Sequence, residues 1–237
     1  MGRGESDSAL ARRSFLARFG AGATAFGAAF AAGTSIAGAQ SPAVPAAWQP
    51  GRHPEDDWFE QVSAKHRVFF DTTTPEGFGE AIFFANNTFT ANRTGYGLMD
   101  GDVALVICAR HLSTPFAYTE ALWAKYGGAL AEFTRFSDPK TKQPPTVNVF
   151  QTSGYGASLR NNGVLLDAVT KRGARLAVCG LATRAVASLI AQKTGGKADE
   201  VFKELTDHLV ANAHLVPAGI VAVNRAQERG YSFAYVG

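Results

Sequence analysis

The sequence predicts a doubly wound α/β domain: a mainly parallel sheet of five strands with helices on both faces. Two observations carry this. Strand-like and helix-like patterns alternate from residue 66 to the C-terminus, and parallel strands require such alternation because each crossover needs an intervening segment, usually a helix. The inner strand runs, such as DVALVICAR at 102–110, are continuously apolar, as befits strands buried on both sides.

Each element follows from its local pattern. Residues 40–64, with Pro42, Pro45, Pro50 and Pro54, read as a proline-rich arm ahead of the domain at 65–237. HRVFFDTTT at 66–74 is an apolar run ending in Asp71 and three threonines, and Pro75-Glu76 then opens a helix. After the strand ending near Cys108, a helix is expected at 115–126, then a long connection at 127–156 containing SDPKTKQPPTVNVF. Loops of that length are usually lids, interface segments or disordered. Val147, Val149, Phe150 and Tyr155 give it apolar surface to bury, so an ordered cover over the site is expected.

A helix at 158–172 closed by Gly173 leads into the strand ARLAVCG, followed by a helix at about 181–192. Residues 198–210 form a second, amphipathic helix, with Val201, Phe202, Leu205 and Leu209 on one face. The remainder gives a short strand, a helix from Pro217 stopped by Gly230, and a last strand with Tyr231, Phe233 and Tyr235 on one side.

The first 39 residues read as an address. Arg12-Arg13-Ser14-Phe15-Leu16 precedes a charge-free Ala/Gly/Phe stretch that ends in Ala37-Gly38-Ala39, the pattern of a twin-arginine export signal cleaved before Gln40. A periplasmic location follows, with no membrane span left after processing. Removing residues 1–39 of the 237 leaves 198, enough for one domain with a core. Arg3, Arg12, Arg13 and Arg18 against Glu5 and Asp7 take +2 of the formal +3 with them. The near-neutral remainder has no basic stripe, so a nucleic-acid partner is not expected.

Strand ends of a parallel sheet gather on one edge, where such folds bind ligands. Asp71, Cys108 and Cys179 are each expected to close a strand, with Arg110 and His111 next to Cys108. Cys179 precedes Gly180 and a helix start, where unpaired N–H groups favour a thiolate, and Arg184 in the first turn would add to that field. The opposing reading is a packed core thiol, since free cysteine is among the most buried residue types. Cys108, His111 and Cys179 could hold a soft metal, but the paired ligand spacings of such sites are missing, and neither a metal nor another cofactor is expected. No G-x-S-x-G, H-E-x-x-H, P-loop or G-x-G-x-x-G motif occurs.

Three segments together resemble the DsrE/DsrF-like sulfur-relay family. VPAGIVAVNRAQERGYSFAYV at 216–236 is similar to its C-terminal signature, TTTPEGFGEAIFFANNTF at 72–89 to its first strand-to-helix passage, and GARLAVCGLATR at 173–184 to its central strand with a terminal cysteine. The resemblance implies a flavodoxin-like domain that forms homo-oligomers, with Cys179 as the position that carries sulfur as a persulfide and a sulfur donor or acceptor protein as partner. A flavodoxin-like strand order places the first strand between the second and third, so Cys108 and Cys179 are expected to flank Asp71 without bonding. Two other readings stay open: a non-catalytic periplasmic subunit that binds a small ligand or assembles through this edge, and a Cys/His metal carrier.

Overall fold

A computed structural model of the chain describes residues 48–60 and 64–237; the stretch read above as an export signal and the start of the arm lie outside them. From Pro50 onward the chain forms one unit, built on five parallel strands. They are β1 (His66–Thr72), β2 (Val103–Ala109), β3 (Arg175–Cys179), β4 (Ala213–Val216) and β5 (Ser232–Val236). Six α-helices connect them: α1 (Pro75–Tyr96), α2 (Glu120–Thr134), α3 (Leu166–Lys171), α4 (Gly180–Thr194), α5 (Ala198–Asp207) and α6 (Gly219–Gln227). No helix among the described residues is long and apolar enough to cross a membrane.

The fold is the expected flavodoxin-like α/β class, but the strand order differs from the one anticipated. It runs β4-β3-β2-β1-β5, so β2, not β1, is the central strand, and the two cysteine-bearing strands, β2 and β3, are direct neighbours. Crossovers between parallel strands are right-handed. The march β1 to β4 proceeds in one direction, so α1, α2, α4 and α5 all pack on one face, in a core around Phe78, Phe116, Trp123 and Ile190. The return from β4 to β5 crosses the whole sheet the other way. That puts α6, alone among these six α-helices, on the opposite face, where Ala222, Val223 and Ala226 cover Phe69, Val106 and Cys108. Gly77 is part of the reason β5 can lie beside β1: a Cβ there would stand 2.2 Å from the Val236 carbonyl oxygen.

Four local differences have identifiable causes. The segment His111–Ala117 is a 3-10 helix containing Pro115, so α2 starts only at Glu120 and runs on to Thr134. Gly127, just past the expected helix end at 126, lies inside α2 and is a contact point where an added Cβ would meet the Pro145 carbonyl oxygen at 2.2 Å. The helix expected at 158–172 shrinks to Leu166–Lys171, because Asn162 and Gly163 take left-handed conformations ahead of it. Finally, the end of the proline-rich arm is packed: Pro54–Phe59 is a 3-10 helix whose Trp58 and Phe59 are buried against the α6 face.

The connection between α2 and α3 is ordered, as its apolar residues suggested. Val149, Phe150 and the buried Asn148 seal the large core, with Asn148 donating to the carbonyls of Phe116 (2.8 Å) and Tyr118 (2.9 Å). It does not cover the cysteines. None of residues 135–165 lines the cavity at Cys179; of the stretch expected as the connection, 127–156, Phe133 does, and it belongs to α2.

Candidate functional site

The sheet's topology positions Cys179. Connections from β1, β2 and β3 leave toward one face and the connection from β4 toward the other, so the chains part between β3 and β4, the kind of crevice where open α/β sheets bind ligands. Cys179 is the last residue of β3 and pairs in register with Val216, the last of β4. Gly180 lets the two diverging chains stay close, since a Cβ there would approach the Val216 oxygen to 2.9 Å and the Pro217 oxygen to 3.2 Å.

Cys179 is also the N-cap of α4. The Ala182 N–H donates to its sulfur at 3.4 Å, and Thr183 Oγ1 donates to its carbonyl at 3.0 Å. It is 7% exposed and lines a cavity of about 420 Å³ together with Arg110, His111, Leu181, Gly219 and Ile220. α6 begins on the far wall at Gly219. Two helix N-termini, each carrying partial positive charge, thus face one space beside a guanidinium.

Arg110 is held from two sides. Its Nε and Nη2 donate to the two oxygens of Asp71 at 2.7 and 2.8 Å, a bidentate pair in which the Asp71 side chain is 2% exposed and that of Arg110 23%. The backbone is fixed too: the Arg110 N–H donates to Ser113 Oγ (3.0 Å) and the Leu112 N–H to the Thr73 carbonyl (3.0 Å). Between them His111 takes φ 55°, a left-handed conformation that histidine tolerates better than most residues.

Asp71 and Cys108 do not end their strands. They pair with each other one residue before the ends, in a row that continues through Ala177 to His214. Neither lines the cavity. Cys108 is fully buried, and its Sγ–H donates weakly to the Gly219 carbonyl at 3.7 Å. Burial, and then the Asp71 carboxylate beside it, push the Cys108 thiol well above its ordinary pKa.

The two thiols are separate, but an intervening strand is not the cause. β2 and β3 are neighbours, Cys108 is paired with Ala177, and Cys179 lies two residues farther along. Neighbouring strands about 4.8 Å apart, with an advance of about 3.3 Å per residue, put the Cα atoms about 8 Å apart. A disulfide needs less than about 7 Å. Cys108, not Asp71, occupies the middle position.

Of the residues singled out from the sequence, Cys179, Arg110 and His111 meet at the cavity, Gly180 shapes the chain beside it, and Asp71 and Cys108 support it from within the sheet. Arg184 is elsewhere. Its guanidinium lies over the Phe202 ring at 4.1 Å and 3.7 Å from Asp199. Gly219 was missed, although a Cβ there would meet Arg110 Cβ at 2.5 Å and Cys108 Sγ at 3.0 Å. Among the described residues no three His, Cys, Asp or Glu side chains gather as metal ligands would. No protein-family model matches the chain, and neither a curated protein nor a solved structure is significantly similar to it.

Proposed function

We propose that the protein is an exported member of the DsrE/DsrF-like sulfur-relay family that carries sulfane sulfur on Cys179 in the periplasm and works as a homo-oligomer. One observation carries the reading: the cysteine at the family-like position stands at the crevice where β3 and β4 part and, though only 7% exposed, lines the cavity there. The step is a sulfur transfer without net redox change. The Cys179 sulfur attacks the outer sulfur of a donor persulfide, R–S–SH; a new S–S bond forms, the donor's S–S bond breaks, and R–SH leaves with the proton Cys179 gives up. The N-termini of α4 and α6 supply positive potential for the anionic sulfur on either side of the transfer, while Arg110, its charge balanced by Asp71, lines the same cavity. Leu181 and Ile220, 65% and 59% exposed at the rim, offer an apolar surface to the donor or acceptor protein, and exposed Phe233 and Tyr235 on the edge strand β5 favour self-association.

Incubation with glutathione persulfide should add one sulfur atom to the peptide containing Cys179 and none to that containing Cys108. Cys179→Ser should abolish the gain while leaving the unfolding midpoint unchanged, because the swap is nearly isosteric at a cavity wall. Sulfur on Cys108, or no mass gain, would refute the carrier reading. The export part has its own test: the secreted chain should begin near Gln40, and replacing Arg12 and Arg13 with lysine should hold the precursor in the cytoplasm. Undiminished export of that variant would remove the periplasmic assignment.

A further inference from the structure

We propose that a second cleft, between the start of α1 and the 135–160 connection, binds a small molecule bearing a multiply charged oxyanion of the phosphoryl type on an apolar body. The cleft holds about 530 Å³, within the usual range for small-molecule sites. Arg135, Lys142 and Arg160 reach its wall from three separate points of the chain, and Phe136, Phe150 and Leu159 give it an apolar lining.

What distinguishes these three cations is that they are uncommitted. Elsewhere Arg110 is paired with Asp71, Arg93 and Arg172 with Asp100, Lys125 with Glu204 and Lys193 with Glu132. Among the described residues Arg135, Lys142 and Arg160 form no ion pair and no side-chain hydrogen bond. Two carboxylates lie in the same wall. Asp138 is already engaged, accepting from Tyr155 Oη (2.5 Å) and from the N–H groups of Lys140 (2.7 Å) and Thr141 (3.2 Å). Asp138 keeps its charge although its oxygens are taken, so the three cations exceed the two carboxylates by one, and Glu76 is the carboxylate with no recorded partner among the described residues.

The start of α1 contributes little itself. Pro75 has no N–H, the N–H groups of Gly77 and Phe78 are both taken by Thr74, and of the first four residues only Glu76 keeps an N–H without a recorded acceptor. The attraction therefore comes from side chains, and two guanidinium forks with an ammonium match the several oxygens of a phosphoryl group better than a single carboxylate. The cleft shares no residue with the Cys179 cavity; Phe133 faces one and Arg135 the other. The two sites stand or fall separately.

Calorimetric titration of the whole chain with phenyl phosphate, inorganic phosphate and phenol tests this. Phenyl phosphate should bind more tightly than phosphate, and phenol not at all. The double variant Arg135→Gln, Arg160→Gln should weaken phenyl phosphate by about tenfold or more, the scale of losing charge-assisted hydrogen bonds. Lys142→Gln provides a separate single-site check. Two variants should bind as the wild type does: Lys140→Gln, whose ammonium lies over the Tyr155 ring at 4.1 Å outside the cleft lining, and Cys179→Ser. The removed cations are exposed and unpaired, so thermal unfolding should be unchanged. An absence of phenyl phosphate binding, equal binding of phenol, an equal loss in Lys140→Gln, or no loss in the double variant would overturn the proposal.

Discussion

Replacing Arg110 with alanine should destabilise the domain by about 3–5 kcal/mol, the range for removing one partner of a buried ion pair. The cost arises from what remains. Asp71 has a side chain 2% exposed and takes both its charge-assisted bonds from the Arg110 guanidinium, so without Arg110 a carboxylate is left desolvated beside the buried thiol of Cys108. Asp71→Asn should cost less, because the amide oxygen still accepts from the guanidinium and no orphaned charge is buried. Adding Asp71→Asn to Arg110→Ala should recover part of the loss for the same reason. Urea unfolding measures this: the midpoint should fall with the slope unchanged. A loss below about 1 kcal/mol would mean the pair behaves as an exposed one, screened by water, and that Arg110 is free to move at the Cys179 cavity.

Local chemistry was legible in the sequence; contacts made across the fold were not. Thr74-Pro75 marks the start of α1 because the cap needs only its own neighbours, and Thr74 Oγ1 indeed accepts from the Gly77 N–H at 3.0 Å. Cys179 was placed at a helix N-terminus for the same reason, since a strand run followed by Gly180 is a local signal. The helix expected to end at 126 runs on to Thr134, and Gly127 within it serves the passing Pro145 carbonyl, a contact no local pattern shows. Arg184 misled because the first turn of a helix has an outer side as well as an inner one, and the outer side of α4 meets Phe202 and Asp199 of α5. Strand order was the least legible. The inner strand runs are all apolar enough to sit in the middle, and part of what lets β5 lie beside β1 is the close approach of Gly77 and Val236, far apart in the chain. The same holds for Gly219, whose meaning depends on residues 108 and 110.

Gly219→Ala is therefore expected to destabilise the protein and to make a second thiol reactive. Alanine is the better helix former by about 1 kcal/mol, so without a steric conflict the change at the start of α6 would stabilise. The conflict is severe: the new methyl would lie 2.5 Å from Arg110 Cβ, 2.9 Å from Arg110 Cδ and 3.0 Å from Cys108 Sγ. The nearest of these is anchored to the backbone, so turning the Arg110 side chain does not relieve it, and the start of α6 must move off the sheet. Overpacking of this kind costs about 1–3 kcal/mol, which outweighs the gain in propensity. Because the closest atom is a Cβ, Arg110→Ala in the same chain should not rescue the loss. The displacement also uncovers Cys108, which in the native protein is fully buried under Gly219 with its thiol pushed well above the ordinary range. Alkylation in the Cys179→Ser background isolates this effect from any reactivity of Cys179. No thiol should label in the folded single variant, and one should label once Gly219→Ala is added, with urea-unfolded protein giving one in both cases. Equal protection of Cys108 in the two variants, together with unchanged stability, would show that α6 absorbs the methyl group without moving and that Gly219 does not set the floor of the cavity.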